Sequence, residues 1–247
     1  IHDNLLYNFI RPPILVGGHD WGDVPWLYDV TIFNNVIYNF AAIVTEGAIR
    51  IGNAGGAETN LDVKIQQNTV VLDTTDTLTR SLQIDACKTA IVQNNLFVQS
   101  AATPYYFSEG DPCTLTMNRN GYFGGSSVSS QDTLPITGDP KFKDRAGHDF
   151  HLTVGSPMID TGAVTGVAQD HDGNIRPQGS AYDIGAYEFV NSILYGDVSG
   201  NGEITSYDAS LAAQYAVGLI DLTDEQRTKA DVSGNSQVSS FDASLIA

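Results

Sequence analysis

In the first half of the chain apolar and polar residues alternate, and the alternation breaks and resumes around a recurring asparagine. The segments HDNLLY, VTIFNNVIY, VKIQQNTVV, AIVQNNLFV and LTMNRNGYF align on Asn4, Asn35, Asn68, Asn95 and Asn120. In the last four, apolar residues fall five and three positions before the Asn and two after it: Val30, Ile32 and Ile37; Val63, Ile65 and Val70; Ala90, Val92 and Phe97; Leu115, Met117 and Tyr122. Period-two alternation predicts strands with one buried face. The interruption predicts a tight turn, with the Asn in the left-handed conformation that it tolerates better than most residues. Stacked turns then let the Asn amides hydrogen-bond along a column.

The units recur at intervals of 31, 33, 27 and 25 residues. Units of that length, each burying its apolar face only against its neighbours, predict a right-handed parallel β-helix over residues 1–125, with five rungs visible. The first residues already lie inside a repeat, so the chain reads as a fragment whose true N-terminus is missing. An antiparallel sandwich also alternates, but does not place Asn between inward positions four times in register.

After Phe123 the pattern stops. Residues 139 to 189 resemble the closing segment of many secreted bacterial β-helix proteins, in the order Asp139, Pro140, Phe142, Ser156, Pro157, Asp160, Asp172, Gly173, Arg176 and DIGAYE at Asp183 to Glu188. That resemblance implies that residues 126–190 form a final coil covering the open end of the column, where strand edges would otherwise stand unpaired. Asp170 and Asp172 are candidate metal ligands, although Asp-Gly is first a turn signal.

The C-terminal end carries a second repeat. DVSGNGEITSYDASL from Asp197 recurs as DVSGNSQVSSFDASL from Asp231, a period of 34 residues. Oxygen-bearing side chains at loop positions 1, 3 and 5 and an Asp at position 12 match a twelve-residue calcium loop feeding a helix. Asp197, Ser199 and Asn201 supply side-chain oxygens, Glu203 its carbonyl, Thr205 a direct or water-bridged contact and Asp208 the closing carboxylate; Asp231, Ser233, Asn235, Gln237, Ser239 and Asp242 are their counterparts. Gly202 sits at the sharp turn, where Ser236 replaces it in the second loop.

Asp rather than Glu closes both loops, and the entering segments NSILYG and DEQRTKA look too short or too polar for the entering helices of an ordinary EF-hand. The pair, joined by ASLAAQYAVGL, resembles a dockerin module over residues 197–247, after a linker at 191–196. The resemblance implies Ca²⁺ as the bound ion, a cohesin domain of a scaffold or cell-surface protein as partner, and a secreted, extracellular or cell-surface location. The second helix is cut short at Ala247 relative to the first.

Net charge is −17, from 29 acidic and 12 basic residues, which argues against nucleic acid and anionic membrane surfaces as partners. No apolar run approaches the ~20 residues of a membrane span, and the start has no signal-peptide pattern. Cys87 and Cys113 precede their rung Asn by eight and seven residues, so they fall on adjacent coils within disulfide reach. A bridge and free thiols both remain open.

Candidate chemistry lies on the strand before each Asn-containing pair. Taking Ile49 and Ile51 as inward leaves Arg50 outward, and taking Leu82 and Ile84 as inward leaves Gln83 and Asp85 outward. YYFSEG adds Tyr106, Ser108 and Glu109, and Lys64 on the following strand is a candidate base. An Arg pairing a uronate carboxylate beside catalytic carboxylates suits cleavage of a polysaccharide, by a lyase first or a glycoside hydrolase. The alternative is a solvated sheet surface on a non-catalytic adhesin or structural surface protein. His19, Asp20, Trp21 and Asp23 lie in a long insertion, and GNAGG at 52–56 reads as a turn.

Overall fold

The computed structural model describes residues 1–17, 29–41, 45–52, 61–74, 78–100, 104–107, 113–126, 128–190 and 193–247. The insertion holding His19, Asp20, Trp21 and Asp23, most of GNAGG, and Ser108 and Glu109 lie outside them. The chain divides into two compact units, 1–190 and 191–247.

In the first unit β1 (Leu5–Tyr7) is followed by four coils of three strands. They are β2 (Ile14–Val16), β3 (Asp29–Phe33) and β4 (Val36–Tyr38); β5 (Glu46–Ile51), β6 (Asp62–Gln66) and β7 (Thr69–Leu72); β8 (Thr79–Ile84), β9 (Thr89–Gln93) and β10 (Leu96–Gln99); and β11 (Tyr106–Phe107), β12 (Thr114–Asn118) and β13 (Gly121–Phe123). Each strand pairs in parallel with its counterpart one coil away, giving sheets ordered β2-β5-β8-β11, β3-β6-β9-β12 and β1-β4-β7-β10-β13. This body of stacked parallel sheets is consistent with a β-helix. Every predicted inward residue from Ile32 to Tyr122 packs with or against one core, where Ile49, Ile51, Leu82 and Ile84 are also fully buried. Cys87 and Cys113 are bridged, their Cα atoms 4.8 Å apart.

The asparagines form a continuous ladder. Each Nδ2 donates to the next Oδ1, Asn4 to Asn35 at 2.9 Å, Asn35 to Asn68 at 2.9 Å, Asn68 to Asn95 at 2.8 Å and Asn95 to Asn120 at 2.9 Å. Backbone N–H groups donate to the same oxygens, which fixes the orientation of every amide. The left-handed corner, however, is taken by the residue before each ladder Asn: Asp3, Asn34, Gln67, Asn94 and Arg119 have φ between 52° and 57°. The reversal occurs one residue early, and the ladder Asn lies outside the left-handed region with its amide directed into the column.

A second difference concerns residues 139–189. A short extension, ending in β14 (Ile136–Thr137) paired to β13, follows the last coil. The chain then runs back along the side of the column instead of closing over its end. The antiparallel pair β15 (Phe142–Asp144) and β16 (Asp149–Leu152) belongs to this segment. Phe150, Leu152, Met158, Ile184, Ala186 and Tyr187 cover the outer face of the β4-β7-β10 sheet, against Val36, Val71, Leu96 and Val98. A Cβ on Gly121 would lie 2.6 Å from Met158 Sδ and 3.0 Å from Ile184 Cγ2 and Leu96 Cδ1, so a larger residue there has to displace packed side chains. The corner residues anchor the returning chain in reverse order, Arg119 to Thr161 O, Asn94 to Ala163 O and Asn34 to Gln169 O. Arg176 and Glu188 form a buried ion pair at 2.5 Å, with Arg176 Nη2 also donating to Gly185 O and Ala186 O.

The second unit holds α1 (Ser206–Ala216), α2 (Asp224–Ala230) and α3 (Ser240–Ile246) around a small core of Val198, Ala209, Ala212, Leu222, Ala230, Ala243 and Ile246. DEQRTKA, expected not to be helical, is α2. A Thr223–Gln226 capping box starts it, Asp224 and Glu225 occupy its first turn and Arg227 and Lys229 its last. These local terms complement the helix dipole and need only Ala230 buried.

Candidate functional site

Local sequence builds the two C-terminal loops on one plan. Asp197 Oδ1 accepts from Gly200 N at 2.9 Å and Asn201 N at 3.0 Å, and its Oδ2 from Gly202 N at 3.0 Å. Asp208 ties both ends of the loop together: Oδ1 accepts from Ser199 N at 2.7 Å and Oδ2 from Thr205 N at 2.9 Å and Thr205 Oγ1 at 2.8 Å. The second loop repeats this, with Asp231 accepting from Asn235 N and Ser236 N, and Asp242 from Ser233 N, Ser239 N and Ser239 Oγ. Asp208 and Asp242 are also the third residues of α1 and α3, so each carboxylate both closes its loop and caps a helix. Burial alone would raise these carboxyls, but hydrogen bonds from Ser199 and Thr205, and from Ser233 and Ser239, outweigh it and hold each at about 2.

These residues fit a calcium ion. Ser199 Oγ lies 3.3 Å from Asp197 Oδ1 while its N–H reaches Asp208, so both carboxylates converge on one residue, and Ser233 does the same between Asp231 and Asp242. Asp197, Asp208 and Asp242 are buried, and none has a cationic partner among the described residues. Hydrogen bonds already hold Asp208 and Asp242 ionised, and a cation between the carboxylates of each loop would add charge pairing to that arrangement. Asn201 and Asn235 each fix their amide by accepting from the N–H two residues on, Glu203 and Gln237. Gly202 has φ +88° with no heavy atom within 4 Å of a built Cβ, so it is there for backbone conformation alone; Ser236 adopts the same left-handed region at φ 66°.

On the parallel body Arg50 and Asp85 do meet, but not on an open surface. Arg50 Nε lies 3.2 Å from Asp85 Oδ2 and Nη1 3.1 Å from Glu46 Oε1, while Arg11 Nη1 also reaches Glu46 Oε1 at 3.1 Å. Gln83 Nε2 bonds both oxygens of Asp85, at 3.0 and 2.8 Å. Asp85, Gln83 and Glu46 are buried. The two arginines and two carboxylates balance, so Arg50 is largely neutralised in place, and among the described residues Glu46 Oε2 accepts no hydrogen bond. Arg11 and Glu46 escaped sequence reasoning, although Glu46 lies four residues before Arg50.

Lys64 belongs elsewhere, exposed on the β3-β6-β9-β12 sheet. Tyr106 is on β11 in the Arg50 sheet. Asp170 is no free metal ligand: it is buried and accepts from Asp172 N, Asn174 N, Asn174 Nδ2 and Glu188 N. Asp172 pairs with His151 at 2.8 Å.

Comparison with known protein families matches residues 195–247 to the dockerin type I domain. No curated protein matches the chain. The module read from the duplicated loops is therefore a dockerin type I domain, of a kind known to bind calcium.

Proposed function

We propose that this chain is a component of an extracellular multienzyme or cell-surface assembly, in which the parallel-sheet body is a right-handed parallel β-helix that degrades a polysaccharide and the dockerin docks it onto a cohesin. The observation that carries the docking half is the pair of loops whose carboxylates converge on Ser199 and Ser233, inside the segment matching the dockerin type I domain. Asp197, Ser199, Asn201, Glu203, Thr205 and Asp208 would hold calcium in the first loop, and Asp231, Ser233, Asn235, Gln237, Ser239 and Asp242 in the second. It supplies positive charge that binds loop to helix start, so the docking helices form on a fixed base.

For the body, lyase chemistry on a uronate-containing glycan is the first choice. Arg50 with Glu46 and Asp85 offers a cation and carboxylates on one sheet, and Lys64 a base on another. The burial of Asp85 and the neutralisation of Arg50 favour a second reading, a non-catalytic adhesin or structural spacer carried by the same dockerin. Incubation with pectate, alginate and neutral plant glycans, followed by unsaturated products and reducing ends with and without calcium, separates the two. Product release that falls at least tenfold in Arg50→Gln supports the enzyme; no product from any glycan leaves the spacer.

A further inference from the structure

One short helix forms the entrance to both C-terminal loops. α2 runs directly into the second: Asp231, the first residue of that loop, is its C-cap and donates its N–H to Arg227 O at 3.0 Å. The same last turn receives the first loop, because Gly196, the residue before Asp197, donates its N–H to Lys229 O at 2.7 Å. Carbonyls that a helix end leaves open are thus closed by the entries of both loops. Side chains meet at the same point. Ala230 and Val198, the second residue of the first loop, are fully buried in one core, and Val232, the second residue of the other loop, packs against it. Lys229 Nζ, held by Glu225 Oε1 at 3.1 Å, lies on the first-loop side, 3.7 Å from where a Cβ on Gly200 would stand.

α2 is poorly equipped to stand alone. Its seven residues fall short of the length at which a helix holds itself in water, and only Ala230 among them is buried. Its order therefore depends on its N-terminal capping box and on the two loops at its other end. An ion that fixes either loop fixes the last turn of α2 with it, so the ordering cost is already met when the other loop fills. The affinity of each loop then depends on occupancy of the other, by the same factor in both directions.

We propose that α2 couples the two loops, so that they take up calcium as a cooperative pair. The proposal rests on the reading of the loops as calcium sites and goes beyond it, because two such loops need not communicate. The test is calorimetric titration of the whole chain with calcium. Wild type is compared with Asp208→Asn and Asp242→Asn, which cripple one loop each, and with Thr223→Ala and Thr228→Ala, two exposed α2-region positions outside both loops. The expected wild-type isotherm is steeper than independent binding, and the intact loop of each Asn variant binds about tenfold more weakly. Thr223→Ala removes the capping box and should weaken both steps together by about fivefold; Thr228→Ala raises helix propensity and should tighten both by about threefold. Two ions bound independently, with each loop indifferent to loss of the other, overturn the coupling while leaving the calcium sites in place. Coupling that is unchanged in both α2 variants assigns it to the packing of α1 on α3 and overturns the role of α2. No calcium uptake at all overturns the reading beneath it as well.

Discussion

Asn120 gives both its backbone N–H, at 3.1 Å, and its Nδ2, at 2.8 Å, to a single oxygen of Asp132. The amide ladder has one direction, every side chain donating toward the next coil, and its last member needs an acceptor in return. Asp132 Oδ2 supplies it and also accepts from Tyr122 Oη at 2.9 Å, while Oδ1 accepts from Leu134 N at 3.2 Å. The ladder is thus terminated by an acceptor-only group that no Asn pattern announces.

Replacing Asp132 by Asn must turn an NH₂ toward one of these donors. Asp132→Asn is expected to destabilise the body by about 2 kcal/mol, the cost of one buried unsatisfied donor pair. Asn95→Ala, which breaks the ladder at its middle and leaves several buried partners unsatisfied, should cost about 3 kcal/mol. Urea unfolding of both variants measures this, and equal midpoints for wild type and Asn95→Ala would contradict the ladder's role.

His151 sits between Asp149 Oδ1 at 2.5 Å and Asp172 Oδ2 at 2.8 Å, with Lys143 on the far side of Asp149 and the Tyr187 ring 4.1 Å away. Burial acts to lower its pKa, but the hydrogen bonds it donates to the carboxylates of Asp172 and Asp149 outweigh this and the net shift is upward. A raised folded pKa stabilises fully below the unfolded value of about 6.5, and that contribution fades as pH rises through the folded value. His151→Gln should therefore lose more stability at pH 5.5 than at pH 8.5. An NMR titration showing His151 ionising below about 6.5 would refute the pairing.

Ser236 holds a left-handed backbone where the first loop has Gly202. A non-glycine residue there costs on the order of 1 kcal/mol, about fivefold in affinity. The second loop is therefore expected to bind calcium more weakly, with Ser236→Gly tightening it by that factor and Gly202→Ser loosening the first. Calorimetry on the two variants decides it, and unchanged affinities would remove backbone strain as the difference between the loops.

The inward residues of the column were legible because a period-two pattern states which side of a strand is buried, and the dockerin module because two copies of one loop recur at a fixed period. The returning segment was less so. Its cue lay in the strands after each Asn, VIY, TVVL and LFVQ, which are apolar on both faces and so call for a second cover. Only the inner half of that signal enters an alternation count. Asp85 was placed on the correct sheet, but its burial depends on Arg50 and Gln83 from neighbouring positions, which no single strand encodes. α2 was overlooked because its stability lies in caps and charge order, not in an apolar stripe.

If the two C-terminal loops are calcium sites, the docking module depends on the ion for its helices. Calorimetric titration of the whole chain with calcium, read alongside far-UV circular dichroism before and after EGTA, tests it most directly. The account predicts two calcium ions per chain, one in Asp208→Ala or Asp242→Ala, and a loss of helical signal on chelation. No calcium uptake, with a spectrum unchanged by EGTA, would contradict it.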